Sequence, residues 1–416
     1  MASEQLPLLE PVKSATSSGS GVLSAGLDLL AARQQRRQKI VIVFGTRPEA
    51  IKLAPVYHAL REHACAFDAV TICTGQHREL LLPFLQMLGL RTDFELQALS
   101  PGQSSNQLLA KVLARLDEVL AVIQADVVVV QGDTTSALAG ALAGFQRQIP
   151  VAHVEAGLRT RDALSPFPEE MNRRLITRLA RWHYAATEFN RQALLAEGVE
   201  DSRIFVTGNP VLDSLQNIRA RGKRSRRLEQ LAEAVHGKKL LVLTTHRREN
   251  LGEVMASHLR ALRDFVAAHT DVALAFPVHP NPAVGAVARA ILADTPNIHL
   301  IDPLDYSDFI GLLELAWIIV SDSGGIQEEA PSLGKPLLVL RENTERPEAV
   351  EIGVAKLVGT SAIRLRELLE QNYRDTSWIE QCRHVANPFG QGNSGKLIVK
   401  ALAASLGVSL GTEATV

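Results

Sequence analysis

Cysteine is scarce in this 416-residue sequence: Cys65, Cys73 and Cys382 are the only three, with no CxxC and no paired Cys/His ligand spacing. That scarcity excludes a disulfide framework and argues against a zinc ribbon. Charge of one sign is lacking too, 44 Lys and Arg standing against 45 Asp and Glu. With no overall field to hold nucleic acid or an anionic membrane, any polyanion has to be met at a local site. Long apolar runs are missing as well. The stretch 312–320 is interrupted by Glu314 and falls short of the roughly 20 residues of a membrane-spanning helix. Residues 1–38 have no continuous apolar core of the kind a secretory signal needs. Rich in Ser and Gly early and running into QQRRQK at 34–39, they read as a flexible tail with a short helix at 23–37. A cytoplasmic protein without nucleic-acid or membrane partners is what these absences favour.

What is present is alternation. From Lys39 onward, continuous apolar runs recur between amphipathic stretches, the pattern of a parallel sheet covered on both faces. Strands are predicted at 39–44, 69–73, 126–130, 151–154, 183–186 and 204–206, and helices at 48–63, 78–88, 106–123, 136–146 and 170–180. A charge-dense region, 219–239, contains RGKRSRR and reads as a linker or a solvated helix face. A second series follows, with strands at 239–245, 272–278, 298–301, 317–320, 336–340 and 356–358 and helices at 254–269, 282–293, 307–315 and 325–333. The chain therefore predicts an α/β protein of two Rossmann-like doubly wound domains, 39–208 and 209–393, facing a cleft at the carboxyl ends of both sheets.

Two turns suit an anion. In GTRPE (45–49), Gly45 permits a tight turn and Pro48 suits the first helical position, so Arg47 and Lys52 can face an anion at the helix start. An ordinary turn with two surface cations fits the same residues. In the second half, Ser323, Gly324 and Gly325 open a helix with bare backbone N–H groups that suit a diphosphate. Glu329 follows about one turn later, where a carboxylate can take both ribose hydroxyls. Neither turn is a Walker A or a GxGxxG fingerprint. Asp133 and Glu155 each follow an apolar run; on parallel neighbouring strands both emerge at one sheet edge, although Asp133 also fits the N-cap of the next helix. Glu169 and Glu170 begin a helix, where either also complements the dipole. His246 in HRREN and His279 in PVHPNP each follow a strand, and His246 is placed to bond a phosphate oxygen. No converging ligand spacing predicts a metal.

Together the blocks FGTRPEAIKLAP (44–55), TGQHRELL (74–81), GDTTSALA (132–139), HVEAGLRT (153–160), PFPEEMNR (166–173), TGNPVLD (207–213), HRREN (246–250), PVHPNP (277–282) and SDSGGIQEEAPSLGKPLLVLRENTERPEA (321–349) resemble the non-hydrolysing UDP-N-acetylglucosamine 2-epimerases. The resemblance implies a GT-B fold whose last helix, about 394–406, crosses back to the first domain, and a homodimer. It implies interconversion of UDP-N-acetylglucosamine and UDP-N-acetylmannosamine by elimination of UDP to a glycal and its re-addition, with no cofactor and no metal. Asp133, Glu155 and Glu169 would then be the acid/base group. Arg47, Lys52 and His246 would meet the diphosphate, His246 as part of the catalytic set. Ser323, Gly324 and Gly325 would donate backbone N–H groups to it, Glu329 would take the ribose, Arg346 would add a phosphate or nucleotide contact, and Phe309 would lie beside the uracil. Gln76, Gln103, Arg247 and His279 match an activating second-substrate site of some bacterial relatives. A 2-epimerase of a modified UDP-sugar, such as a 2,3-diacetamido uronic acid, a hydrolysing epimerase and a GT-B glycosyltransferase are the alternatives that would share this cleft.

Overall fold

The computed structural model describes residues 36–410 except 76, 77, 101, 161, 223, 246, 248 and 249. The chain divides after Arg37, and the unit Gln38–Val416 carries every element below. The short helix expected at 23–37 lies, but for its last two residues, outside the described residues.

The first sheet has seven strands: β1 (Gln38–Phe44), β2 (Phe67–Cys73), β3 (Phe94–Glu95), β4 (Val127–Gln131), β5 (Val151–Ala156), β6 (Trp182–Ala185) and β7 (Ile204–Val206). Their order is β3-β2-β1-β4-β5-β6-β7, and each pairing is parallel. Six strands form the second sheet: β8 (Lys239–Thr244), β9 (Val272–Pro277), β10 (Ile298–Ile301), β11 (Ile318–Ser321), β12 (Leu337–Val339) and β13 (Ala355–Leu357). They too are all parallel, in the order β10-β9-β8-β11-β12-β13. The order in which strands are added reverses at β1/β4 and β8/β11, the two places where such sheets open a crevice at their carboxyl ends. The central runs explain why these strands form. Ile40 to Phe44 and Leu241 to Leu243 are wholly buried, and branched or aromatic side chains covered on both faces favour the pleated chain.

One strand goes beyond expectation: β3 carries no periodicity, being two exposed residues. Of the two readings of 219–239 the solvated helix face is the one found: the region holds the end of helix Val211–Arg221 and the helix Arg226–Ala234, largely exposed and seated by the buried Leu228 and Leu231. Helices Glu188–Ala196, Pro347–Glu351, Ala362–Arg374 and Ser377–Cys382 were likewise not predicted.

The last helix, Ser394–Leu406, packs on helix Arg47–Glu62 behind the first sheet. Its first turn is held by Asp213, which accepts from the N–H groups of Ser394 and Gly395 at 3.0 and 2.9 Å. Only glycine fits at 395, since a Cβ there would lie 2.6 Å from the carbonyl oxygen of Pro55. Among the described residues no helix is long and apolar enough to cross a membrane.

Candidate active site

At the end of β1, Thr46 is the N-cap of helix Arg47–Glu62, and Glu49 completes a capping box in its first turn. Glu49 is fully buried and accepts from the N–H groups of Gly45 and Thr46 at 3.1 and 2.8 Å and from the Thr46 hydroxyl at 2.7 Å. Its other oxygen accepts from the hydroxyl of Thr134 at 2.7 Å. One carboxylate thus ties the turn carrying Arg47 to the loop carrying Asp133. Burial, opposed by these donors, pushes Glu49 up to about 7. The Arg47 guanidinium stands 5.0 Å from the ring centre of Phe84, a cation–π distance.

Thr134, not Asp133, caps helix Thr135–Gln146, accepting from the N–H of Ala137 at 3.0 Å. Asp133 is thereby left for other work. Its carboxylate meets Nη1 of the buried Arg173 at 3.0 Å, and Asn172 donates to its backbone carbonyl at 2.8 Å. Below it, Nε2 of His153 bonds the Gly132 carbonyl at 2.8 Å. Burial holds that imidazole neutral, its pKa pushed down to about 4, so Nε2 carries the proton toward the carbonyl. Glu169, half-buried at the start of helix Glu169–Leu179, is raised by burial and by the Asp133 charge, against Arg247 and Arg173. Glu170 is buried beneath, pairing with Arg174 at 2.9 Å and Arg173 at 3.3 Å.

Glu155 sits where β5 breaks register with β6, between Val154 and Ala156, and its φ is 63°. Few non-glycine residues hold that backbone without compensation. Here four side-chain donors meet one carboxylate: Lys52, Gln131, Asn209 at 3.0 Å and Arg346 at 3.3 Å reach it, while Lys52 also pairs with Glu328 at 3.3 Å. Arg346 goes on to Glu328 at 2.5 Å and Glu345 at 2.6 Å, and Glu345 to Arg341 at 2.8 Å and Arg247 at 3.8 Å. Lys52, Glu155, Glu328, Glu345, Arg341 and Arg346 are all buried. The network joins side chains from the edges of both sheets. Burial alone would push Glu155 up, but Lys52 and Arg346 outweigh it and hold it well below the usual carboxylate range. Glu328, for which burial and the neighbouring Glu155 charge prevail over Arg346 and Lys52, is pushed up to about 7.

Beyond β11, Ser323 is the N-cap of helix Gly324–Leu333. Its N–H is not bare as expected but donates to the Ser321 hydroxyl at 3.0 Å. Gly324 lies against Arg346, where a Cβ would fall 2.7 Å from Nη1, while Gly325 faces open space. Glu329 is buried and accepts from the Tyr306 hydroxyl. Phe309 is half-buried on the same helix as Tyr306, Tyr306–Leu315. Asp322 is fully buried and accepts from the Thr245 hydroxyl at 2.8 Å, the Arg247 N–H at 3.0 Å and the Asn250 amide at 3.0 Å.

The structure thus brings Lys52, Glu155, Arg346 and Arg247 into one network, with Asp133 and Glu169 beside it. His246 and Gln76 lie outside the described residues. Gln103 bonds the Ser100 N–H within its own turn at 3.0 Å, and the exposed His279 accepts from the Asn281 N–H at 3.2 Å. Glu328, Glu345, Arg341, Arg173, Asn209 and Gln131 were not singled out from the sequence. The doubled acid of IQEEA and the alternating charges of RENTER were the available signals.

Two doubly wound parallel sheets meeting edge to edge through a buried, charged seam define the GT-B class of α/β fold. A family model described as UDP-N-acetylglucosamine 2-epimerase matches residues 58–403, and the chain belongs to that family. The UDP-N-acetylglucosamine 2-epimerase of Escherichia coli K12 is 45% identical over 369 residues, 88% of this chain and 98% of the relative. The UDP-GlcNAc 2-epimerase of Neisseria meningitidis, solved bound to UDP-GlcNAc, superposes with a TM-score of 0.84 at 40% identity, covering 88% of this chain and all of that one. The Methanocaldococcus jannaschii UDP-GlcNAc 2-epimerase, solved with UDP-GlcNAc and UDP, gives 0.77 at 35% identity, covering 89% of this chain and 100% of the other.

Proposed function

We propose that the chain interconverts UDP-N-acetylglucosamine and UDP-N-acetylmannosamine without net hydrolysis. The C2 proton is removed as the C1–O bond to UDP breaks; the electron pair of the C–H bond becomes the C1=C2 bond of a glycal, and UDP leaves with the pair of the broken bond. Return of UDP to C1 with protonation of C2 on the opposite face gives the epimer. The observation that carries this reading is the seam itself, where carboxylates for proton transfer and cations for a diphosphate converge from both sheets.

Asp133, Glu155 and Glu169 form the acid/base group. Glu169, raised by burial and by Asp133, keeps its proton more readily than an ordinary carboxyl, which suits it to the acid role. Glu155 is masked by Lys52 and Arg346. An entering diphosphate offers those cations a second anion, and as they turn to it Glu155 loses their pull and becomes a stronger base. Arg47, Lys52, His246 and Arg346, with the N–H groups of Gly324 and Gly325, stabilise the leaving UDP and retain it for return. Glu329 holds the ribose and Phe309 flanks the uracil.

Proton NMR of the protein with UDP-N-acetylglucosamine in deuterated water tests this directly. The expected outcome is UDP-N-acetylmannosamine carrying deuterium at C2 with little free UDP. Stoichiometric UDP would mean hydrolysis, and no exchange with retained UDP binding would point to a modified sugar. A cytoplasmic homodimer is proposed with this activity. Phe145, Met171 and Leu175 lie exposed on the touching helices Thr135–Gln146 and Glu169–Leu179, an apolar face a second copy would cover. A monomeric mass in light scattering would refute the dimer.

A further inference from the structure

We infer that Tyr306 is a positioning residue for Glu329, and that the pair makes the site select a ribonucleoside diphosphate over its deoxyribose counterpart. The inference rests on the proposed reading of Glu329 as the ribose carboxylate.

Tyr306 opens helix Tyr306–Leu315, and its hydroxyl donates to Oε1 of Glu329 on helix Gly324–Leu333. Both side chains are buried, at 6% and 4% exposure. The ring of Tyr306 is fixed from the opposite half of the molecule, with its centroid 6.3 Å from that of Phe84, which itself carries the Arg47 guanidinium. The phenol is thus oriented by packing, and its one proton points at one carboxylate oxygen. An ionised carboxylate offers about four lone-pair sites. Tyr306 occupies one, leaving Oε2 and the second site of Oε1 for two further donors. A vicinal diol supplies two donors at that spacing; a deoxyribose supplies one.

The same bond governs the charge of Glu329. Burial pushes this carboxyl up to about 7, the Tyr306 bond opposes the rise and the nearby Glu328 charge adds to it. The phenol itself, buried beside that carboxylate, is raised well above its ordinary value and remains a donor. Without the hydroxyl, Glu329 holds its proton to higher pH, and a protonated carboxyl no longer accepts both diol hydrogens.

Calorimetric titration of the full chain with UDP and with 2′-deoxy-UDP, between pH 6 and 9, tests the proposal on the wild type, Tyr306→Phe and Glu329→Gln. The wild type is expected to prefer UDP by roughly tenfold or more, the worth of one hydrogen bond to a charged group. In Tyr306→Phe, which keeps the ring against Phe84, UDP affinity should fall by about tenfold. The preference should shrink and the pH of half-maximal affinity should move upward, with kcat/KM falling mainly through KM. Unchanged affinity, preference and pH profile in a folded Tyr306→Phe would overturn the proposal. If that variant fails to fold, a wild type that binds UDP and 2′-deoxy-UDP equally overturns it instead. Glu329→Gln binding both ligands as the wild type does would sink the ribose reading itself, a separate result.

Discussion

Two aspartates occupy matching places in the two sheets and do opposite things. Each follows the fourth strand in chain order of its sheet, β4 for Asp133 and β11 for Asp322. Asp322 is fully buried and accepts from Thr245, Arg247 and Asn250, so it holds these three residues beyond β8 in place. Asp133 is partly exposed, leaves the capping of its helix to Thr134, and faces Arg173. Repetition of one topology therefore does not repeat one chemistry. In the first sheet Asp133 keeps an open side, while in the second Asp322 and Glu345 hold backbone and cations still.

The largest expected effect separates the two. Asp133→Asn should lower kcat by about 10²–10⁴-fold, the range of general acid–base catalysis, while UDP affinity and melting temperature stay close to wild type. Glu155→Gln and Glu169→Gln should likewise lower turnover by orders of magnitude. Near-normal rates in all three would remove proton transfer from the first sheet.

Next comes the joint between the halves. Arg346→Met leaves Glu155, Glu328 and Glu345 without their shared cation, and removing one member of a buried ion network costs about 3–5 kcal/mol. A denaturant melt should show that loss together with weakened UDP binding; an unshifted midpoint would mean that the network does not bind the halves.

Asp322→Ala should act oppositely to Asp133→Asn. It strands three donors, and an unsatisfied buried polar group costs about 1–3 kcal/mol, so stability and UDP affinity should fall more than the rate at saturation. A variant that melts normally yet is as slow as Asp133→Asn would abolish the contrast.

The smallest effect concerns two buried glutamates, Glu328 among cations and Glu49 among neutral donors. Because Glu49 is raised from an ordinary 4.5 to about 7, the native state binds its proton more tightly than the unfolded chain. Its contribution is present below about pH 4.5 and lost as pH rises through about 7. Glu49→Gln removes that slope, so relative to wild type it should gain about 1–3 kcal/mol between pH 5 and pH 8. Parallel stability–pH curves for the two proteins would contradict the assignment.

The strands of both sheets were legible because runs such as Ile40 to Phe44 and Ile318 to Val320 are apolar without interruption. β3 was not, since Phe94 and Glu95 gain their strand only by pairing with β2. In the site, Asp133, Glu155 and Ser323 follow apolar runs and could be placed at strand ends. Glu328, Glu345 and Arg173 could not. Their roles come from partners distant in the chain, Lys52 for Glu328, Arg247 for Glu345 and Asp133 for Arg173, and no local spacing rule reaches so far. The positive φ of Glu155 is invisible for the same reason: the surrounding donors, not the residue type, sustain it.

The helix Ser394–Leu406, seated on helix Arg47–Glu62, bears on how the protein is made. While a ribosome is still adding the second sheet, at roughly 5–20 residues per second, the first sheet has emerged without the piece that covers its outer helix. For tens of seconds Pro55 and its neighbours face solvent or a chaperone. A chain stopped short of Asn393 leaves that surface open for good, and it should sediment in the pellet where the full chain stays in the supernatant.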